Sequence, residues 1–85
     1  MNTIPITIIY EGMLLKGNAK PLEAFNDIRP SSLMIYIQGW CLGKLSYSNN
    51  KWIMDQPIDP KFIELLGRYI YSYLESVKKA MNYHH

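Results

Sequence analysis

Cys41 is the only thiol in the 85-residue chain, and the histidines are His84 and His85 at its end. Nucleophilic catalysis by a thiolate needs a base within hydrogen-bond reach. No imidazole stands in the body of the chain to serve Cys41, which therefore reads as a small buried hydrophobe. Ser31 and Ser32, with Lys20 and Lys44 as conceivable neighbours, read as ordinary loop serines. Acid–base work needs paired carboxylates, one of them buried. Of the candidates, Asp59 suits a helix cap, Asp55 suits a cross-strand pair with Lys44, and Asp27 reads as a solvated loop residue. Adjacent His84 and His85 lack a third metal ligand. Gly39 and Gly43 have the spacing of turn and strand glycines, not of a phosphate loop. The sequence thus predicts a non-enzymatic protein with no catalytic, cofactor or metal site.

The residues that remain suited to function are aromatic and apolar. Tyr36 and Trp40, with Lys44 and Lys51 nearby, are of the types that stack single-stranded bases. The chain has no glycine-aromatic run of an RNA-recognition motif, and its order of elements differs from that fold. The net charge is +2, with the excess in the C-terminal half, whereas a dedicated nucleic-acid binder is expected to carry a basic stripe. A protein-interaction module, self-associating as a homodimer, is the leading reading, because Trp, Tyr and Met are enriched at interface cores. A small nucleic-acid or ligand-binding domain is the alternative.

The elements that must position these residues are well marked. Asp59 is a good N-cap and Pro60 suits the first helical position. From there Phe62, Ile63, Leu66, Tyr69, Ile70, Tyr73, Leu74, Val77 and Met81 fall on one arc of a helix over 59–82, with residues 83–85 as a tail. Lys61, Glu64, Arg68, Ser72, Glu75 and Lys79 fall opposite, with Glu64–Arg68 and Glu75–Lys79 as i,i+4 pairs. Gly67 beside the arc costs about 1 kcal/mol against Ala, which predicts close approach of another backbone.

Residues 1–56 read as β-hairpins. Ile4, Ile6, Ile8 and Tyr10 form the inner face of a first strand. A two-residue loop at Glu11-Gly12 sets Ile8 opposite Leu15, Ile6 opposite Gly17 and Ile4 opposite Ala19, so a second strand runs from Met13 to Ala19. Residues 20–32, bracketed by Pro21 and Pro30, form a long loop in which Leu22, Phe25 and Ile28 recur at helical spacing. Strands follow at 33–37, 41–48 and 51–55. Asn49-Asn50 suits a type I′ turn, which sets Tyr47 opposite Trp52, Leu45 opposite Met54 and Lys44 opposite Asp55. A three-residue loop ending at Gly39 sets Tyr36 opposite Trp40 and Ile35 opposite Cys41. That parity places Leu33, Ile35, Cys41, Gly43 and Leu45 on the core face. It places Met34, Tyr36, Trp40, Leu42 and Ile53 together on the other face, as the candidate interaction surface. Either residues 20–32 cover it or another chain does, with Trp40 as the anchor.

The composition agrees with one small globular domain: 48% hydrophobic, 19% charged and 13% aromatic residues. A chain of this size buries about 60–65% of its unfolded surface, so dimerisation would supplement its stability. Met1–Pro5 lacks the basic and apolar runs of a signal peptide, and no apolar stretch approaches the about 20 residues of a membrane span. A cytoplasmic protein without a membrane partner is expected. The predicted fold class is α+β, an antiparallel meander of four to five strands with the long C-terminal helix on one face. A helix of about 22 residues spans about 33 Å, against about 23 Å for a seven-residue strand, so the helix should overhang the sheet.

Overall fold

The computed structural model describes residues 3–22 and 32–83, with side chains through residue 80. Five strands, β1 (Ile4–Tyr10), β2 (Met13–Pro21), β3 (Ser32–Ile37), β4 (Trp40–Ser48) and β5 (Lys51–Met54), precede one helix, α1 (Pro60–Tyr83). The strands form a single antiparallel sheet in the order β1-β2-β3-β4-β5, so each pairs with its neighbour in sequence. The sheet curls into a half-barrel with α1 on its inner face, an α+β fold. Phe25, Asp27, Ile28, Ser31, His84 and His85 lie outside the described residues, as does the side chain of Met81.

The two outer hairpins follow the expected registers. Ile8 faces Leu15, Ile6 faces Gly17 and Ile4 faces Ala19. Tyr47 faces Trp52 and Leu45 faces Met54. Asn49 and Asn50 take φ of 52° and 63°, and Glu11 and Gly12 take 50° and 79°. Both turns therefore have the left-handed pair of residues that matches strand twist in a two-residue hairpin. β2 runs on to Pro21, two residues beyond the expected Ala19.

Alternation along the strands builds the core. Ile4, Ile6, Ile8, Ala19, Leu33, Ile35, Ile37, Leu45 and Met54 are buried from the sheet, and Phe62, Leu66, Ile70 and Leu74 from the helix. Among the described residues no polar or charged side chain is buried. The helix packs on β1 and β5, the two edges of the sheet. Gly67 meets the indole of Trp52, so the close approach predicted at this glycine comes from a side chain and not from a backbone. Trp52 in turn stacks on Tyr47, with ring centroids 4.8 Å apart and tilted by 54°. Leu74 is the last buried position, and Ser76 through Ala80 are exposed. The C-terminal turns of α1 overhang the sheet, as the lengths predict.

The start of the helix is tied to the first strand. Asp59 caps it: Oδ1 accepts the Lys61 N–H at 3.0 Å, and the backbone carbonyl accepts from Phe62 and Ile63. The same carboxylate accepts a hydrogen bond from the Tyr10 hydroxyl through Oδ2, while the Tyr10 ring stands edge-on to Phe62 at 4.8 Å. The bond from Tyr10 holds Asp59 below its usual range, and the Asp59 carboxylate pushes the Tyr10 phenol up to about 12. The sign of each effect sets its window. For Tyr10 the folded value lies above the unfolded one, so its contribution is complete below about pH 10 and is lost as pH rises through about 12. For Asp59 the folded value is lowered, so its contribution is present above about pH 4 and is lost as pH falls through the lowered value. In an ultraviolet titration, a tyrosine component near pH 12 is expected to disappear in Tyr10→Phe. A late component that survives this substitution would show that the Tyr10–Asp59 bond is absent in solution.

Candidate functional site

The third hairpin decides which side chains share a surface. Gln38 and Gly39 have φ of 53° and 84°, and Ile37 pairs with Trp40. The loop is therefore a two-residue turn, not the expected three-residue loop. Tyr36 pairs with Cys41, but Ile35 pairs with Gly43. Cys41 and Leu42 together oppose the single residue Tyr36, which is a β-bulge. Gly43 carries the bulge at φ 125°, a conformation that favours glycine. The Asp55 carboxylate clamps the irregular segment by accepting the Lys44 N–H at 2.7 Å, and the Asp55 N–H donates to the Lys44 carbonyl at 3.1 Å. Lys44 and Asp55 do lie opposite each other, but the carboxylate binds the Lys44 amide where an ammonium partner was expected.

One extra residue reverses the parity of the strand's start. Cys41, expected in the core, is exposed on the outer face across from Tyr36. Leu42, expected on the outer face, is half-buried and packs against the core. Trp40 takes the core-side position opposite Ile37 and is 75% exposed. Of the five residues read as one surface, Met34 and Tyr36 stay together on the outer face, half-buried, and Ile53 stays on that face at 53% exposure. Trp40 and Leu42 do not join them. Gly43 held the available signal, since an isolated glycine within a strand pattern marks a bulge.

Two surfaces replace the single one. The first is the end of the sheet at which the β1–β2 and β3–β4 turns lie. Trp40 shares the inner side of this end with Met13 at 61% exposure, while Ile9 at 68% and Leu14 at 54% lie on its outer side. This end is stepped. Gln38 in the β3–β4 turn bonds the carbonyl of Lys16, so β1–β2 continues past it from Leu15 to the turn at Glu11, about 10 Å at strand rise. The second surface is the outer face itself. The five strands carry four lysines and no Asp, Glu or Arg. Strand parity places Lys16, Lys20, Lys44 and Lys51 all on that face, and all are exposed.

A cleft of about 420 Å³ opens between the β4–β5 hairpin and the first turns of α1, lined by Tyr47, Asn50, Lys51, Trp52, Pro60, Ile63, Glu64 and Arg68. Its charged rim is largely self-paired, since Arg68 bonds Glu64 at 2.7 Å as the i,i+4 spacing predicts.

No family model matches the chain, and no curated protein or solved structure matches it. Among the described residues no helix is long and apolar enough to cross a membrane. Nor do three His, Cys, Asp or Glu side chains gather there into a metal-holding group. The chemistry-bearing residues are dispersed: Cys41 faces outward from β4, Asp55 clamps the bulge and Asp59 caps the helix.

Proposed function

We propose that the protein is a non-enzymatic interaction module that pairs with a second copy of itself through the stepped end of its sheet. The observation that carries this reading is Trp40, a large aromatic left 75% exposed beside an overhanging hairpin that bears Met13. A step of this kind is self-complementary about a two-fold axis, where residue i of one copy meets residue j of the other and the reverse. Each protruding β1–β2 hairpin would lie over the other copy's Trp40, bringing the Met13 thioether to the indole, a favourable contact. Tryptophan in a desolvated pocket dominates interface energetics. A net charge of only +2 opposes association little.

The expected result is a dimer of the wild type in analytical ultracentrifugation at micromolar concentration. Trp40→Lys and Met13→Lys are each expected to give folded monomers, while Ile53→Lys, remote from the step, leaves the dimer intact. A wild type that remains monomeric at high micromolar concentration would overturn the self-association.

A further inference from the structure

The weak net charge conceals a marked segregation. All four strand lysines lie on the convex outer face of the half-barrel, and the described strands place no carboxylate among them. Asp55, which follows β5 at the side of this face, spends its carboxylate on the Lys44 amide. In the centre, Lys20 and Lys44 flank Met34 across adjacent strands, while Asn18 and Cys41 flank Tyr36 in the next outward row. Lys16 stands on the same side of β2, two residues from Asn18. Strand spacing and rise put Lys20 and Lys44 about 10 Å apart and Lys16 about 13 Å from Lys20. The three ammonium groups thus surround a half-buried aromatic and a half-buried thioether.

From this arrangement we infer that the outer sheet face is a binding site for single-stranded RNA. A polyanion answers the unbalanced lysines, and the salt dependence of such binding comes from released counterions. Single-stranded nucleic acid is favoured over a duplex because Tyr36 lies among the cations, where an unstacked base can lie on its ring; in a duplex the bases are already stacked on one another. Ribose is favoured over deoxyribose because Asn18, next to Tyr36 in the register, offers both a donor and an acceptor to a 2′-hydroxyl. The site lies on the opposite face of the sheet from Trp40 and Met13 and does not depend on pairing through them.

The test is fluorescence anisotropy with labelled rU15, dU15, a 15-base-pair duplex and a poly-glutamate peptide, using the full chain and its Trp40→Lys variant. The expected order places rU15 first, with a slope of log affinity against log salt of about −2 to −3, from about −0.7 per phosphate neutralised at three or four lysines. Lys20→Glu with Lys44→Glu should weaken rU15 at least tenfold and flatten the slope. Tyr36→Ala should weaken it about tenfold with the slope unchanged. Circular dichroism confirms that each variant is folded, and Trp40→Lys is expected to bind as the wild type does. Duplex, dU15 or poly-glutamate binding as tightly as rU15 would overturn the inference. So would salt-independent binding, or rU15 affinity untouched by the paired lysine reversals.

Discussion

Gly17→Val is expected to abolish the fold. Gly17 sits in β2 between Ile6 of β1 and Ile37 of β3, with the inner face of the sheet to one side. A Cβ built there runs into the Tyr36 carbonyl oxygen and lies 2.8 Å from the Ile37 Cα. Both obstacles are backbone, so no rotamer change relieves them. Overpacking a core costs about 1–3 kcal/mol where side chains can shift. Here the β2–β3 ladder itself must open, so lost hydrogen bonds at about 1 kcal/mol each add to that range and bring the total to about 5 kcal/mol or more. A domain of this size has about 5 kcal/mol of stability to lose. The variant should show lost near-ultraviolet circular dichroism and no cooperative urea transition. A cooperative transition within about 1 kcal/mol of wild type would mean that β2 and β3 are not paired at this register.

The second large effect is a coupling between Trp52 and Gly67. Truncating Trp52 to Ala removes the indole that covers Gly67 and stacks on Tyr47. The expected loss is about 3 kcal/mol, the lower end for a large aromatic because Trp52 is half-buried. Gly67→Ala on its own should destabilise, because the new Cβ meets the indole ring. In the Trp52→Ala background the ring is gone. There Gly67→Ala should stabilise by about 1 kcal/mol, its ordinary gain in helix propensity. Chemical denaturation of the four proteins measures the cycle. Additive effects would show that the helix does not rest on the indole.

These two sites mark what the sequence discloses and what it does not. The hairpins at Glu11-Gly12 and Asn49-Asn50 were legible because turn residues and alternation agree on one register. The α1 stripe was legible because its apolar residues recur at one helical period over several turns. The bulge in β4 was not. Gln38-Gly39 is compatible with either loop length, and the bulge beside it is clamped by Asp55, which binds the Lys44 amide from 11 residues away. The candidate surface was built on that hairpin's parity, so the shift of one residue sent Leu42 inward and Cys41 outward. The bond between Tyr10 and Asp59 joins residues 49 apart in sequence, and no local pattern announces it. The charge segregation lay within reach of the sequence, because the registers that place Lys16, Lys44 and Lys51 on the outer face were legible; Lys20, read as part of the loop, joins them because β2 runs on to Pro21.

The nearest-neighbour order of the meander also bears on how the molecule is assembled. Each strand finds its partner across a connection within the chain's next stretch, so hairpins can zip up in the order in which they leave the ribosome, and a topology rich in local contacts folds quickly. The helix that bridges β1 and β5 is made only after all five strands. Until it arrives, the row of isoleucines along β1 has nothing to cover it, and the nascent sheet is at its most exposed to chaperones and to wrong partners. A fragment ending at Ile58 should therefore aggregate where the full chain stays in solution, a difference that size-exclusion chromatography of the two reads directly.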